Sequence, residues 1–299
     1  MLSQPVMSIV NFGSLNIDHV YQVDRFASPG ETLASRGYRR HAGGKGLNQA
    51  IALARAGAEV AMVGRIGECG VWLRDILKEE GVNTDHVEVI DGATGHAIIQ
   101  VSPDGENAIF TAGGTNHRFS PAVADRALSG FGEGDWLLIQ NEISSVAETI
   151  RLGAGKGLKI AFNPAPVTPE MADYPLELVD WIVMNEHEGK ALTGYDDPNR
   201  VLASLVKEYP KISIVLTLGE RGSILANRAE KFSIPAINVN VVDSTAAGDT
   251  FIGYFLAELM QGTDAKAALH TAADAAALCV MRPGAADSIP RRKDLERED

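Results

Sequence analysis

From residue 58 onward the sequence alternates short apolar runs with amphipathic stretches, and that alternation admits few folds. The runs Val60–Val63, Trp136–Gln140, Leu158–Phe162, Trp181–Met184 and Ile212–Leu218 have the length and side chains of buried strands. Between them, apolar residues recur at helical spacing near 70–80, 121–129, 144–155, 186–193 and 198–209. Strand, helix and strand in repetition require a parallel sheet covered on both faces. The expected fold class is therefore α/β: a three-layer, doubly wound, mostly parallel sheet. Such sheets bind ligands beyond the carboxyl ends of their strands. Polar residues stand at those ends: Gln140 and Glu142, Asn163, Asn185, and Thr217 with Gly219.

The first strand, Val6–Phe12, runs into Gly13-Ser14-Leu15-Asn16-Ile17-Asp18. Asn16 and Asp18 are two apart, so in extended chain they point to one side and can hydrogen-bond vicinal hydroxyls. A polar turn in water accounts for the pair as well. Residues 17–41 and 94–112 alternate apolar and polar positions around turns at Ser28-Pro29-Gly30 and Pro103-Asp104-Gly105. They read as two pairs of short strands forming a small antiparallel sheet outside the main layers, a lid or a dimer surface. The chain thus reads as one domain, 1–299, with a discontinuous lid from about 15–41 and 94–112. The charged end, Arg291 to Asp299, reads as frayed.

Two stretches carry chemistry. In Asp243-Ser244-Thr245-Ala246-Ala247-Gly248-Asp249-Thr250-Phe251, small residues run into an acid that opens an apolar helical pattern stopped at Gly262. Free N–H groups and the dipole at such a helix start make an anion site. A carboxylate beside it can take the proton of a hydroxyl that attacks a phosphate. Asp is also a favoured N-cap with no chemistry attached. In His41-Ala42-Gly43-Gly44-Lys45-Gly46-Leu47-Asn48, glycines allow close backbone approach before a helix at Gln49–Ala56, stopped by Gly57. This stretch lacks the spacing and Lys-Ser/Thr ending of a Walker loop.

Composition excludes several classes. The net charge is −12, from 27 basic and 39 acidic residues, which argues against broad nucleic-acid or anionic-membrane binding. Cys69 and Cys279 show neither metal-ligand spacing nor a disulfide framework, which suits a reducing cytoplasm. No apolar run reaches membrane-spanning length, and Met1–Met7 lacks a signal-peptide pattern. A dinucleotide oxidoreductase should show G-x-G-x-x-G after its first strand, and the residues after Phe12 lack it.

These motifs resemble the ribokinase-like (PfkB-type) carbohydrate kinases. Asn163-Pro164-Ala165-Pro166, Asn185-Glu186-His187-Glu188 and Thr217-Leu218-Gly219-Glu220-Arg221-Gly222 lie between the two main motifs in that family's order. The resemblance runs nearly end to end. It implies transfer of the ATP γ-phosphate to the primary hydroxyl of a small sugar, D-ribose first. Deoxyribose, fructose or a nucleoside are alternative acceptors, and a non-catalytic sugar or nucleotide sensor is the reading from another class. By matched position it implies Asp249 as catalytic base and Ala246, Ala247 and Gly248 as anion hole. It implies Asn16, Asp18, Gly44, Lys45, Asn48 and Glu142 as sugar-binding residues, and Thr217, Gly219 and Gly222 as the nucleotide turn. Asn185 and Glu188 would organise magnesium and phosphate, often through water. Asp243, Thr245, Cys279, Arg282, Gly284 and Ser288 would line a monovalent-cation loop for potassium, several through backbone carbonyls. A homodimer through the lid is also implied. Ser244, Ala273, Asn141 and His41 depart from the family pattern and bear on acceptor and nucleotide more than on the reaction.

Overall fold

The computed structural model describes residues 7–296. Along the chain the strands are β1 (Ser8–Phe12), β2 (Asn16–Gln22), β3 (Gly37–Gly43), β4 (Glu59–Ile66), β5 (Asn83–Val89), β6 (Gly95–Val101), β7 (Asn107–Ala112), β8 (Trp136–Gln140), β9 (Lys159–Asn163), β10 (Trp181–Asn185), β11 (Ser213–Thr217), β12 (Ser223–Ala226) and β13 (Lys231–Ile234). The helices are α1 (Lys45–Arg55), α2 (Val71–Glu79), α3 (Pro121–Ala127), α4 (Val146–Gly155), α5 (Glu186–Thr193), α6 (Pro198–Glu208), α7 (Ala247–Met260), α8 (Ala265–Val280) and α9 (Arg292–Leu295).

The main sheet has the order β13-β12-β11-β10-β9-β8-β1-β4-β5. It is parallel from β5 to β11, and β12 and β13 are antiparallel. The chain leaves β1 outward through β4 and β5, then returns to the other side of β1 at β8. The winding therefore reverses between β1 and β8, and a crevice opens beyond their carboxyl ends. Alternation along each strand feeds two cores. Ile9, Leu138 and Val215 pack under α1, α2, α7 and α8, while Val10, Phe12, Leu137, Ile139 and Leu216 pack under the helices of the opposite layer.

Several elements differ from the sequence reading. α1 begins at Lys45 rather than Gln49, because Gly44 (φ 94°) sits at its N-cap and the distant Glu142 accepts the Lys45 N–H. β5, β12, β13 and α8 were not legible. β5 is a half-polar edge strand, and α8 buries a face made largely of alanine. The small sheet, order β3-β2-β6-β7, is not purely antiparallel, since β2 and β6 pair in parallel. The C-terminal segment is pinned rather than frayed: α9 follows Pro290, whose carbonyl accepts from Tyr254, and Arg291 and Asp294 pair with Glu80 and Arg282. Residues 297–299, like Val6 of the expected first strand, lie outside the described residues.

Candidate active site

Two helices set the geometry. A Cβ on Gly253 of α7 would stand 2.4 Å from Ala52 Cβ and 2.8 Å from the Leu53 N of α1. The glycine thus lets α7 lie against the α1 backbone. One turn earlier on both helices, the same approach brings Asp249 to Asn48 and Gln49. Asn48 Nδ2 donates to Asp249 Oδ2 at 3.0 Å, and Gln49 Nε2 donates to Oδ1 at 2.8 Å. Asp249 is 8% exposed, so its carboxylate is aimed by two amides within a largely dry contact. Ala246, the N-cap of α7, has φ 62°, a strained position for a residue with a Cβ; the Ala247 N–H that follows it donates to the Ser244 carbonyl at 3.3 Å, so the N–H groups of the first turn open to a ligand begin at Gly248. A Cβ on Gly248 would meet nothing within 4 Å, so that N–H can be approached closely.

The crevice side of Asp249 is built from β2, α1 and the segment after β8. Asp18 lies on β2 opposite His41 of β3. Burial first, and then the Glu142 carboxylate, push the Asp18 carboxyl up to about 7. Gly43 makes room for it: a Cβ there would fall 2.1 Å from Asp18 Oδ2. Asn16 accepts from Asn116 Nδ2 at 2.7 Å, and Asn116 Oδ1 in turn accepts the Leu15 N–H at 3.1 Å. Gly44 is required because its Cβ would stand 2.9 Å from the Ser14 carbonyl at a φ of 94°. Glu142 accepts from Ser14 Oγ and, at 3.1 Å, from the Lys45 N–H, so one carboxylate caps α1 and joins β1 to β8. Burial would lower the Lys45 ammonium, but the carboxylates of Asp249, Glu142 and Glu188 outweigh it and hold it above its ordinary value. Asn141 turns away, donating to the Pro166 carbonyl at 2.6 Å and accepting from Tyr174 at 2.8 Å.

On the other side of Asp249 is a cavity of about 230 Å³, lined by Lys45, Asn185, Glu188, Thr217, Ala246 and Gly248 among others. Asn185 and Glu188 form a capping box at the start of α5, with the Glu188 N–H donated to Asn185 Oδ1 at 2.9 Å and the Asn185 N–H to Glu188 Oε2 at 2.8 Å. Burial pushes the Glu188 carboxyl up against the lowering pull of the Asn185 N–H and Lys45. Thr217 ends β11 at this cavity, while Gly219 (φ 58°) and Gly222 (φ 91°) make the turn into β12 outside its wall. Gly222 has a packing reason as well: its Cβ would lie 2.0 Å from the Ile234 carbonyl.

Behind the α7 N-terminus two loops meet. Asp243 Oδ1 accepts from the Thr245 N–H at 2.9 Å and its hydroxyl at 2.6 Å, and Oδ2 accepts the Gly284 N–H at 2.9 Å. These bonds hold the Asp243 carboxyl below its ordinary value although burial opposes them. Cys279 Sγ lies 3.7 Å from the Thr245 carbonyl and 3.1 Å from Ser288 Oγ. Arg282 departs from the group: its guanidinium points to Asp294 at 3.2 Å.

Sequence reasoning missed the roles of Asn11, Gln49 and Asn116. Asn11 had a visible signal, an amide inside the apolar run Ile9-Val10-Asn11-Phe12. Gln49 and Asn116 had none, because their partners are remote in sequence.

The chain belongs to the pfkB family of carbohydrate kinases, which it matches over residues 7–292. It is a sugar kinase by that membership. A ribokinase of Haemophilus influenzae is 36% identical over 291 residues, covering 94% of this chain and 95% of that protein. A deoxyribokinase of Salmonella typhi is 32% identical over 295 residues, covering 95% of this chain and 96% of its own length. The crystal structure of a ribokinase from Cryptococcus neoformans var. grubii in complex with ADP superposes with a TM-score of 0.86, at 32% identity and 97% and 99% coverage.

Proposed function

We propose that this chain transfers the γ-phosphate of ATP to the primary hydroxyl of D-ribose, giving D-ribose 5-phosphate and ADP. The observation that carries the reading is the Asp249 carboxylate, clamped by Asn48 and Gln49 beside the free N–H groups of the α7 N-terminus. The sugar lies between the small sheet and α1, with hydroxyls on Asn16, Asp18, Asn48 and Glu142 and against the Gly44–Lys45 backbone. Asp249 takes the proton of the primary hydroxyl as that oxygen bonds to the γ-phosphorus and the bond to the β-phosphate oxygen breaks. The Gly248 N–H receives the charge of the moving phosphoryl, and the Ala247 N–H can join it on giving up its 3.3 Å bond to the Ser244 carbonyl. Lys45, kept cationic by its three carboxylate neighbours, balances the same charge. The nucleotide runs from the cavity past Asn185 and Thr217 to the Gly219–Gly222 turn. The small sheet acts as a lid over the sugar and excludes water as a competing acceptor.

Among the described residues no group of three or more His, Cys, Asp or Glu side chains could hold a metal. Magnesium keeps several waters and is bound largely by substrate phosphates, and Glu188 would be its protein contact. Bound there, magnesium would supply charge neutralisation between the transferring phosphates. For potassium, the facing loops offer backbone carbonyls and the tied Asp243 carboxylate. Thr245, Cys279, Gly284 and Ser288 stand around them, and Arg282 contributes through its main chain alone. This donor set suits a large, weakly charged cation. We place the activity in the cytoplasm with its ATP; among the described residues no helix is long and apolar enough to cross a membrane.

A homodimer through the small sheet completes the reading. Tyr38, Ile98, Ile109 and Phe110 leave large apolar side chains exposed there, and a monomer by light scattering at working concentration would count against it. The kinship to a deoxyribokinase favours deoxyribose as second acceptor. ADP release from ATP-Mg with ribose, deoxyribose, fructose, adenosine and uridine, in potassium and in a large inert cation, tests the assignment. Ribose turnover that potassium raises supports it. Another acceptor winning overturns the ribose assignment.

A further inference from the structure

The Asp249 carboxylate is the end of a chain of buried amides that starts in the middle of the sheet. Asn11 Nδ2 on β1 donates to the Gly46 carbonyl at 2.7 Å. Gln140 Nε2 at the end of β8 donates to Asn11 Oδ1 at 2.9 Å and to Gln49 Oε1 at 2.7 Å. Gln49 Nε2 donates to Asp249 Oδ1 at 2.8 Å and to Asn163 Oδ1 at 3.2 Å, and Asn163 Nδ2 to the Val183 carbonyl at 2.9 Å. Asn11, Gln49 and Gln140 are each 0% exposed.

The direction of this chain is forced. A carboxylate only accepts, so Gln49 presents its NH₂ to Asp249 and keeps Oε1 for a donor. Gln140 supplies that donor, and its second N–H goes to Asn11. Gln140 Oε1 is then left without a partner among the described residues, facing Gly13, where a Cβ would stand 2.3 Å away. Buried polar groups are ordinarily satisfied, and an apolar filling would avoid the orphaned oxygen altogether. A packing role alone does not account for the chain. Its terminus does: with Asn48 it fixes the plane of Asp249 and uses one lone pair on each oxygen, leaving the others to an incoming hydroxyl.

We propose that Gln49 is a positioning residue for Asp249, and that Gln140, itself fixed by Asn11, sets Gln49. The proposal rests on Asp249 being the base. It assigns no substrate contact to Gln49 or Gln140. Losing either misaims the carboxylate while the sugar and nucleotide contacts persist, so the damage falls on kcat.

The test compares Gln49→Met, Gln140→Met, the double variant and Asp249→Asn with the native chain, using ATP-Mg and the acceptor that turns over. Thermal midpoint and ATP binding serve as fold readouts. A misplaced catalytic group costs on the order of 10²-fold. Gln49→Met is therefore expected to lose about 30- to 100-fold in kcat, with KM for both substrates within about threefold. Gln140→Met should lose about 5- to 10-fold in the same pattern. Because Gln140 acts through Gln49, the double variant should match Gln49→Met within about twofold instead of multiplying the losses. Asp249→Asn inactive beside native kcat in Gln49→Met overturns the positioning role and leaves the base standing. Asp249→Asn at native kcat overturns the base itself. Losses that multiply in the double variant, or that fall on KM in step with kcat, overturn the relay. If Gln49→Met does not fold, Gln140→Met decides, since it does not touch Asp249: native kcat there overturns the proposal.

Discussion

Replacing Asp18 by Asn should stabilise this protein at pH 8 more than at pH 5. The Asp18 carboxyl is raised from 3.8 to about 7, by burial first and the Glu142 charge second. A folded-state value above the unfolded one means the folded chain holds the proton more tightly. The associated stability is complete below the unfolded value, and it is lost as pH climbs through the folded one. At about 1.4 kcal/mol per pKa unit, the stability tied to the protonated Asp18 has fallen by about 1.6 kcal/mol at pH 5, where only the unfolded chain is ionised, and by about 4 kcal/mol at pH 8. Asn carries no charge at either pH, so the variant gains about 2.5 kcal/mol on the native chain across that interval. At about 2.1 cal/mol/K per residue, 299 residues unfold with an entropy of about 0.6 kcal/mol/K, which makes the gain about 4 °C. Circular-dichroism melts of both proteins at pH 5 and pH 8 read it directly. The gap between their midpoints should widen by that amount at the higher pH. A gap that stays constant, or narrows, refutes a raised Asp18 carboxyl in the folded chain. The variant should also bind the sugar more weakly, seen as a raised KM.

Two further perturbations probe the frame around the site. Arg55 and Glu80 pair at 2.7 Å with side chains 11% and 12% exposed, and Arg55 also donates to the Ala286 and Ile289 carbonyls. Glu80→Gln should therefore cost about 3 kcal/mol in urea unfolding by leaving the part-buried guanidinium without its counter-charge. Gly253→Ala should cost about 1–3 kcal/mol by pushing α7 off α1. It should lower kcat as well, because the same contact sets the Asp249–Gln49 distance; a variant that loses stability with native kcat would separate the two.

The fold was legible where periodicity is strong and local. Trp136–Gln140 reads to its observed ends because a short apolar run closes on a polar residue, and the alternation of such runs implies the parallel sheet. α8 escaped because its buried face is mostly alanine, which carries little apolar contrast. β5 escaped because an edge strand can be half polar. The start of α1 was misread because its cap is Glu142, 97 residues away from Lys45. The site shows the same division. Asp249, Lys45, Glu188, Ala246 and Gly248 lie in motifs that motif reading can find, and the structure brings them to one cavity. What aims them was hidden. Gln49 reads as an ordinary helix residue until Gln140 and Asp249 are placed beside it, and Arg282 reads as a loop residue until Asp294 claims its side chain.

The most direct test of the account is sugar-dependent ADP release by Asp249→Asn, measured beside its ATP affinity by calorimetry. Asn keeps the shape and the contact to Asn48, but it cannot take a proton and its NH₂ opposes the Gln49 NH₂, so the loss is read beside that of Gln49→Met. General-base loss predicts a fall in kcat of at least about 10²-fold with ATP binding retained. An Asn variant that turns over within about threefold of the native chain would contradict the assignment of Asp249 as the base and, with it, the phosphoryl-transfer geometry built around that residue.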